Sequence, residues 1–223
     1  MMDSSVKRFN IKKYEHAKYL LLIPLYMLVF LLDEKYIVRN YFVSYLPRDD
    51  MIPFCECFVI PYFLWYPLMI GAGVYLFFID PDGFKKYMTY VGCGFLLIVL
   101  LYAVFPNGQN LRPRTFENSN FLTDIIKWVY KNDTNTNVCP SLHVVGTMGA
   151  MFALMECEKL RTWWFQTFNV ILSFFICIST VFIKQHSILD VFVGIIFGIV
   201  YYLIVYKWMP EKSHIAEKQG STY

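Results

Sequence analysis

Two imidazoles and one carboxylate are the groups in this 223-residue chain best spaced to do chemistry together. His186 and Asp190 stand four residues apart, so on a helix they share one face. A carboxylate placed there accepts the proton of one ring nitrogen, fixes the tautomer and leaves the other nitrogen as a nucleophile. The same stripe continues through Gly194 and Gly198, small residues that let a second helix approach and so turn this face into the protein. His143 follows Pro140-Ser141-Leu142 at the mouth of an apolar run. Pro and Ser suit a helix start, which leaves the N–H groups of Leu142 and His143 free at the positive end of the helix dipole as an anion site. Arg112 and Lys184 add positive charge. A nucleophile, a proton donor and an anion-binding surface together fit metal-free phosphoryl transfer, which needs charge stabilisation on the phosphoryl oxygens and an acid for the leaving group.

No metal or other cofactor is expected. The six cysteines are scattered through apolar stretches with no CxxC pair, and they read as small buried apolar residues. His16 and His214 fall in charged tails, where a solvated role suffices. Asp190 differs: it stands one turn into a membrane span, where a carboxylate is costly to bury, at least ~2.5 kcal/mol at the helix centre, and marks function.

The elements that must position these groups are membrane helices. The chain is 57% hydrophobic, 19% aromatic and only 17% charged, a balance typical of integral membrane proteins and not of soluble domains. With a net charge of only +3, no nucleic-acid partner is expected. Six apolar runs, Tyr19–Leu32, Phe58–Ile79, Tyr87–Phe105, Pro140–Cys157, Trp163–Ile183 and Ser187–Tyr206, approach the roughly 20 residues a spanning helix needs. The first has a basic flank like a signal peptide but no small-residue cleavage site, so it reads as a span. The fold class is therefore all-α: a six-transmembrane-helix bundle over 19–206, with a basic segment 1–18 before it and a polar tail 207–223 after it. Pro61 and Pro67 are expected to kink the second span. Phe121, Leu122, Ile125, Ile126 and Val129 recur at helical spacing in the loop before the fourth span, which predicts a short amphipathic helix on the outer membrane face. Twelve of the twenty Lys and Arg fall on the side of the two termini and eight on the other, which puts the termini in the cytoplasm. Arg112, His143, Lys184, His186 and Asp190 then meet at the exoplasmic end. Nothing in the sequence specifies an oligomeric state.

Arg112-Pro113, Pro140-Ser141-Leu142-His143 and His186-Ser-Ile-Leu-Asp190 resemble, in order and spacing, the three signature segments of the phosphatidic-acid-phosphatase type 2 superfamily. The resemblance covers about residues 102–195 together with the six-helix layout. It implies a phosphohistidine mechanism: His186 attacks phosphorus, Asp190 orients it, His143 protonates the leaving oxygen, and Arg112, Ser141 and nearby backbone amides hold the phosphate. There are three departures. Phe105 stands where the first segment has lysine, Leu142 replaces the glycine of Pro-Ser-Gly-His, and Thr180 stands where the third segment has arginine. Lys184 and Arg114 are the candidate substitutes for the lost cations. The Pro-Ser-Leu-His form is similar to the branch that includes inositol-phosphotransferases. Three readings follow: a lipid phosphatase acting on a lipid phosphate or diphosphate in the bilayer, a phosphotransferase with an alcohol acceptor, or a non-catalytic protein with a decayed site.

Overall fold

The computed structural model describes residues 11–36 and 41–208. Within them the chain is predominantly helical. Five helical stretches are long and apolar enough to cross a membrane: Tyr14–Tyr36, Glu56–Ile79, Pro81–Val104, Trp163–Phe182 and Ile188–Trp208. In chain order the helices are α1 (Leu22–Tyr36), α2 (Val59–Phe63), α3 (Trp65–Ile79), α4 (Pro81–Met88), α5 (Gly94–Val104), α6 (Phe121–Asn132), α7 (Leu142–Glu156), α8 (Trp163–Phe182) and α9 (Ile188–Tyr202). Many large apolar side chains remain exposed on α1, α3, α8 and α9, as a lipid solvent requires.

The fourth apolar run behaves differently. α7 has 15 residues, about 22 Å at 1.5 Å per residue, less than the ~30 Å of a hydrocarbon core. Nine of those residues are buried, and α7 packs against α3, α8 and α9. Its surroundings are protein rather than lipid, so its length is not set by bilayer thickness. The glycine stripe of α9 makes this packing possible. A Cβ on Gly198 would sit 2.7 Å from the Met148 Sδ, and one on Gly194 would sit 3.2 Å from Val144 Cβ.

The second and third runs are each divided. The second run breaks at Leu64 between α2 and α3, flanked by Pro61 and Pro67. The third run begins at Pro81, six residues before the expected Tyr87, because Asp80 caps it: its Oδ1 accepts from the Gly83 N–H at 2.9 Å, and proline fits the first helical position. A π turn at Thr89–Cys93 then joins α4 to α5. The loop before α7 does carry a helix, α6, capped by Asn120. It buries Ile126 and Val129 against Val59, Tyr62 and Ile183, while Phe121 and Trp128 stay exposed. β1 (Phe42–Val43) and β2 (Asn107–Gly108) form one short parallel pair that ties the α1–α2 segment to the loop after α5.

Two sequence expectations are corrected. Among the cysteines only Cys157 is buried; Cys55, Cys93, Cys139 and Cys177 are half-buried and Cys57 is exposed. His16 is not solvated. It is 4% exposed, its ring rests on Phe77 and Phe84, and its Nε2 lies 3.0 Å from the Phe77 carbonyl. Most of the basic segment 1–18 and of the tail 207–223, including Lys7, Arg8, Lys212, His214 and Lys218, lies outside the described residues, as does Arg39.

Candidate active site

His143 enters the site from the first turn of α7. Ser141 caps this helix from extended backbone, its Oγ accepting from the Val144 N–H at 3.4 Å. The approach is clamped by Asn107, whose Oδ1 accepts from the N–H groups of Val138 and Cys139 at 2.9 and 2.7 Å, and by the Tyr102 hydroxyl, which donates to the Pro140 carbonyl. The His143 ring stacks on Tyr62 at 4.5 Å and lies 4.7 Å from Trp65. Its Nε2 is buried with no hydrogen-bond partner.

His186 comes from the tight turn between α8 and α9. Lys184 takes a left-handed φ of 55° there, and the N–H groups of Gln185 and His186 both donate to the Thr180 carbonyl, at 2.9 and 3.1 Å. The His186 Nδ1 lies 3.4 Å from Asp190 Oδ2, and its ring centroid is 6.0 Å from that of His143. Asp190 is fully buried, and a buried carboxylate must be supplied with donors. It has them: Oδ2 accepts from the Ser187 N–H at 2.8 Å, and Oδ1 accepts from the Ser44 hydroxyl. The backbone also joins the two helix starts, with the Ser141 N–H donating to the Asp190 carbonyl at 3.2 Å.

Both histidines line a cavity of about 510 Å³, together with Tyr62, Trp65, Asp133, Asn137, Leu142 and Gln185. Among the described residues, no lysine or arginine lines it. Arg112 is half-buried beside α6. Its guanidinium donates to the carbonyls of Tyr130, Asp133 and Thr134 and lies over the Tyr130 ring, leaving only Nε without a partner. Lys184 points to the opposite side of its turn and donates to the carbonyls of Asp49 and Ile52 at 2.8 and 2.6 Å. Burial pushes the pKa of both cations down, opposed for Arg112 by Asp133 and for Lys184 by Asp49. Of the positions in question for the lost cations, Phe105 is 70% exposed, Arg114 is exposed, and the Thr180 hydroxyl turns back to the Cys177 carbonyl. The structure thus brings His143, His186, Asp190, Ser141 and Leu142 together. It places Arg112 at the margin and ties Lys184 elsewhere.

The sequence reading missed three groups at this site. Ser44 holds Asp190, and Asp49 holds the start of α9, accepting from the Ser187 hydroxyl at 2.7 Å and the Ile188 N–H at 2.8 Å. Asp133 is exposed as a residue, but its carboxylate turns in to accept from the buried Gln185 Nε2 at 2.9 Å. There, loss of water pushes its pKa up against the pull of Arg112. Ser44 and Asp49 had no sequence signal, since each meets its partner across more than 130 residues. Asp133 opens the polar stretch Asp133-Thr-Asn-Thr-Asn137, whose composition singles out no partner for it.

Helices long and apolar enough to cross a membrane thus carry two histidines on one cavity, with a buried aspartate behind one of them. The chain matches the PAP2 superfamily over residues 89–214 and belongs to that superfamily, whose members are generally phosphatases. The match contains His143, His186 and Asp190 but not Ser44 or Asp49. No curated protein and no solved structure matches the chain.

Proposed function

We propose that the protein is an integral-membrane lipid phosphatase that hydrolyses a lipid phosphate or diphosphate through a phosphohistidine on His186. The observation that carries this reading is the pair of rings 6.0 Å apart on one cavity, with Nδ1 of His186 turned to Asp190. Rings this close, both on the cavity wall, bring a nitrogen of each within reach of one phosphoryl group bound in the cavity. His186 Nδ1 lies 3.4 Å from Asp190 Oδ2 without a hydrogen bond; on this reading the gap closes when substrate binds, which keeps the proton on Nδ1 and the attacking lone pair on Nε2. A P–N bond forms, the P–O ester bond breaks, and protonated His143 gives its proton to the leaving oxygen. Water then attacks phosphorus in line and yields a proton to His143. The P–N bond breaks and its electron pair returns to Nε2. The free N–H groups of Leu142 and His143 at the start of α7, capped by Ser141, receive the phosphoryl oxygens. In this reading α7 completes six spans, both termini are cytoplasmic and the pocket opens to the exoplasmic leaflet.

A phosphotransferase reading is favoured by a separate observation. Among the described residues the pocket wall has no cation, and it has two buried acceptor oxygens without partners, Asn137 Oδ1 and Gln185 Oε1. Such acceptors suit the hydroxyl groups of an alcohol taking the place of water.

The test gives purified protein phosphorylated lipids in EDTA, with and without inositol or glycerol. Free phosphate supports hydrolysis, and a new phosphodiester supports transfer. An acid-labile phosphoryl adduct should accumulate on the parent and be absent from His186→Ala. If a broad lipid panel gives no turnover, or His186→Ala turns over like the parent, the site is a decayed one.

A further inference from the structure

A second cavity, of about 530 Å³, lies between α1 and α3, and among the described residues its wall carries no charged side chain. It shares Tyr26, Trp65, Tyr66 and Phe95 with the histidine cavity, so the two adjoin, with these four aromatic side chains as their common wall. The groove exists because α1 packs against α5 and the Thr89–Cys93 turn, which leaves part of the α3 face uncovered. We propose that this groove seats one hydrocarbon chain of the lipid whose phosphate reaches His143 and His186, and that it measures the chain's length. The proposal rests on the lipid-phosphate reading above.

Three observations set the occupant and its size. From Tyr66, at the shared rim, to Phe77, at the far end, the groove follows α3 for about 16 Å at 1.5 Å per residue. That is about half of a ~30 Å hydrocarbon core, the depth of one leaflet. An aromatic cluster stands at the far end. Phe77 stacks on Tyr14 at 5.8 Å, meets Phe84 edge-on at 5.1 Å, and has His16 at 4.5 Å with its Nε2 against the Phe77 carbonyl. A chain running down the groove meets that cluster at its tip. Along the wall, Gly73 keeps the groove wide. A Cβ there would meet only Tyr87 Cε1, at 3.4 Å, so a larger side chain would grow into the channel and not into backbone.

The full-length protein is assayed in nanodiscs on single-chain lipid phosphates with chains from roughly 6 to 18 carbons. For the parent, kcat/KM should rise with chain length and then level off where the chain reaches the Phe77 cluster. Gly73→Phe should move that plateau to shorter chains and lower the ratio of longest-chain to shortest-chain kcat/KM by about tenfold, the effect of excluding about two methylenes. Gly71→Phe, on the same helix but outside this groove, where a Cβ meets nothing within 4 Å, should leave the profile as it is. A Gly73→Phe profile parallel to the parent's overturns the proposal. A photoreactive group at the chain terminus reads the groove without turnover: it should label α3 near Phe77 in parent and in His186→Ala alike, and much less in Gly73→Phe. Equal labelling of all three overturns the groove. Absence of turnover with the expected labelling leaves the groove standing and removes the phosphatase reading instead.

Discussion

Two parts of the chain meet at the site and do different work. The family-matched stretch, residues 89–214, contributes the imidazoles and the acid. The segment between α1 and α2, outside that stretch, contributes no reacting group. It binds the reacting groups from behind, with Ser44 on Asp190, Asp49 on the first turn of α9, and the carbonyls of Asp49 and Ile52 on Lys184. Lys184 could have compensated for the cations lost at Phe105 and Thr180, yet its ammonium is spent on fastening this brace. The comparison teaches that charge near a site is not charge in a site. Lys184 and Asp49 tie down the α8–α9 turn, and in the function proposed above phosphate binding falls to the N–H groups of Leu142 and His143 and to Arg112 at the margin.

The comparison is broken first at its reacting end. Asp190→Asn keeps the volume but can offer the amide N–H to His186 Nδ1, which selects the wrong tautomer. We expect kcat on a lipid phosphate to fall by about 10³–10⁴-fold with little change in KM, read by steady-state kinetics. A loss under tenfold would remove Asp190 from its orienting role. Next comes the brace. Asp49→Ala strips acceptors from the Ser187 hydroxyl and from the N–H groups of Ile188 and Leu46, and takes one carboxylate from beside Lys184. The expected cost is about 2–3 kcal/mol of stability, seen as a lowered apparent unfolding midpoint in detergent. Activity falls with it, because the turn carrying His186 loosens.

The sequence revealed the reacting end and was silent about the brace, for a physical reason. Hydrophobic runs, a Pro-Ser helix start and an i, i+4 His–Asp pair are local patterns, and local patterns survive in a one-dimensional reading. The long apolar helices and the meeting of His143 with His186 therefore emerged close to expectation. Helix ends fared less well. Pro81 was legible in principle, since Asp80-Pro81 is a start signal, but the charges that follow it look like loop. The destinations of Arg112 and Lys184 were not legible at all. Each side chain is satisfied by backbone carbonyls far along the chain, and carbonyls carry no residue identity. Ser44 and Asp49 are ordinary loop residues until the parallel pairing of β1 with β2 brings their segment to the site.

The comparison sharpens at Ser44, which touches the acid and nothing that reacts. Ser44→Ala leaves Asp190 Oδ1 buried without its donor, and we expect kcat to fall by about tenfold, far less than in Asp190→Asn. Ser44→Thr, which keeps the hydroxyl, should restore most of it, and the kcat–pH profile of Ser44→Ala should shift where that of a merely destabilised variant would not. The smallest expected effect is on Asp133. Its folded pKa lies above the ordinary 3.8, so the folded state holds the proton more tightly than the unfolded chain. That contribution is present at low pH and is lost as pH climbs from about 3.8 through the raised value. Asp133→Asn has no proton to lose and can still accept from Gln185. The unfolding midpoints of variant and parent should therefore agree near pH 4 and separate by about 1–3 °C in the variant's favour by pH 7, the size of a shift expected for under 1 kcal/mol in a chain this long. Midpoints that separate in the opposite sense would mean that the attraction between Asp133 and Arg112 outweighs the loss of water, and that Arg112 is bound to the pocket's margin by charge as well as by the three carbonyls.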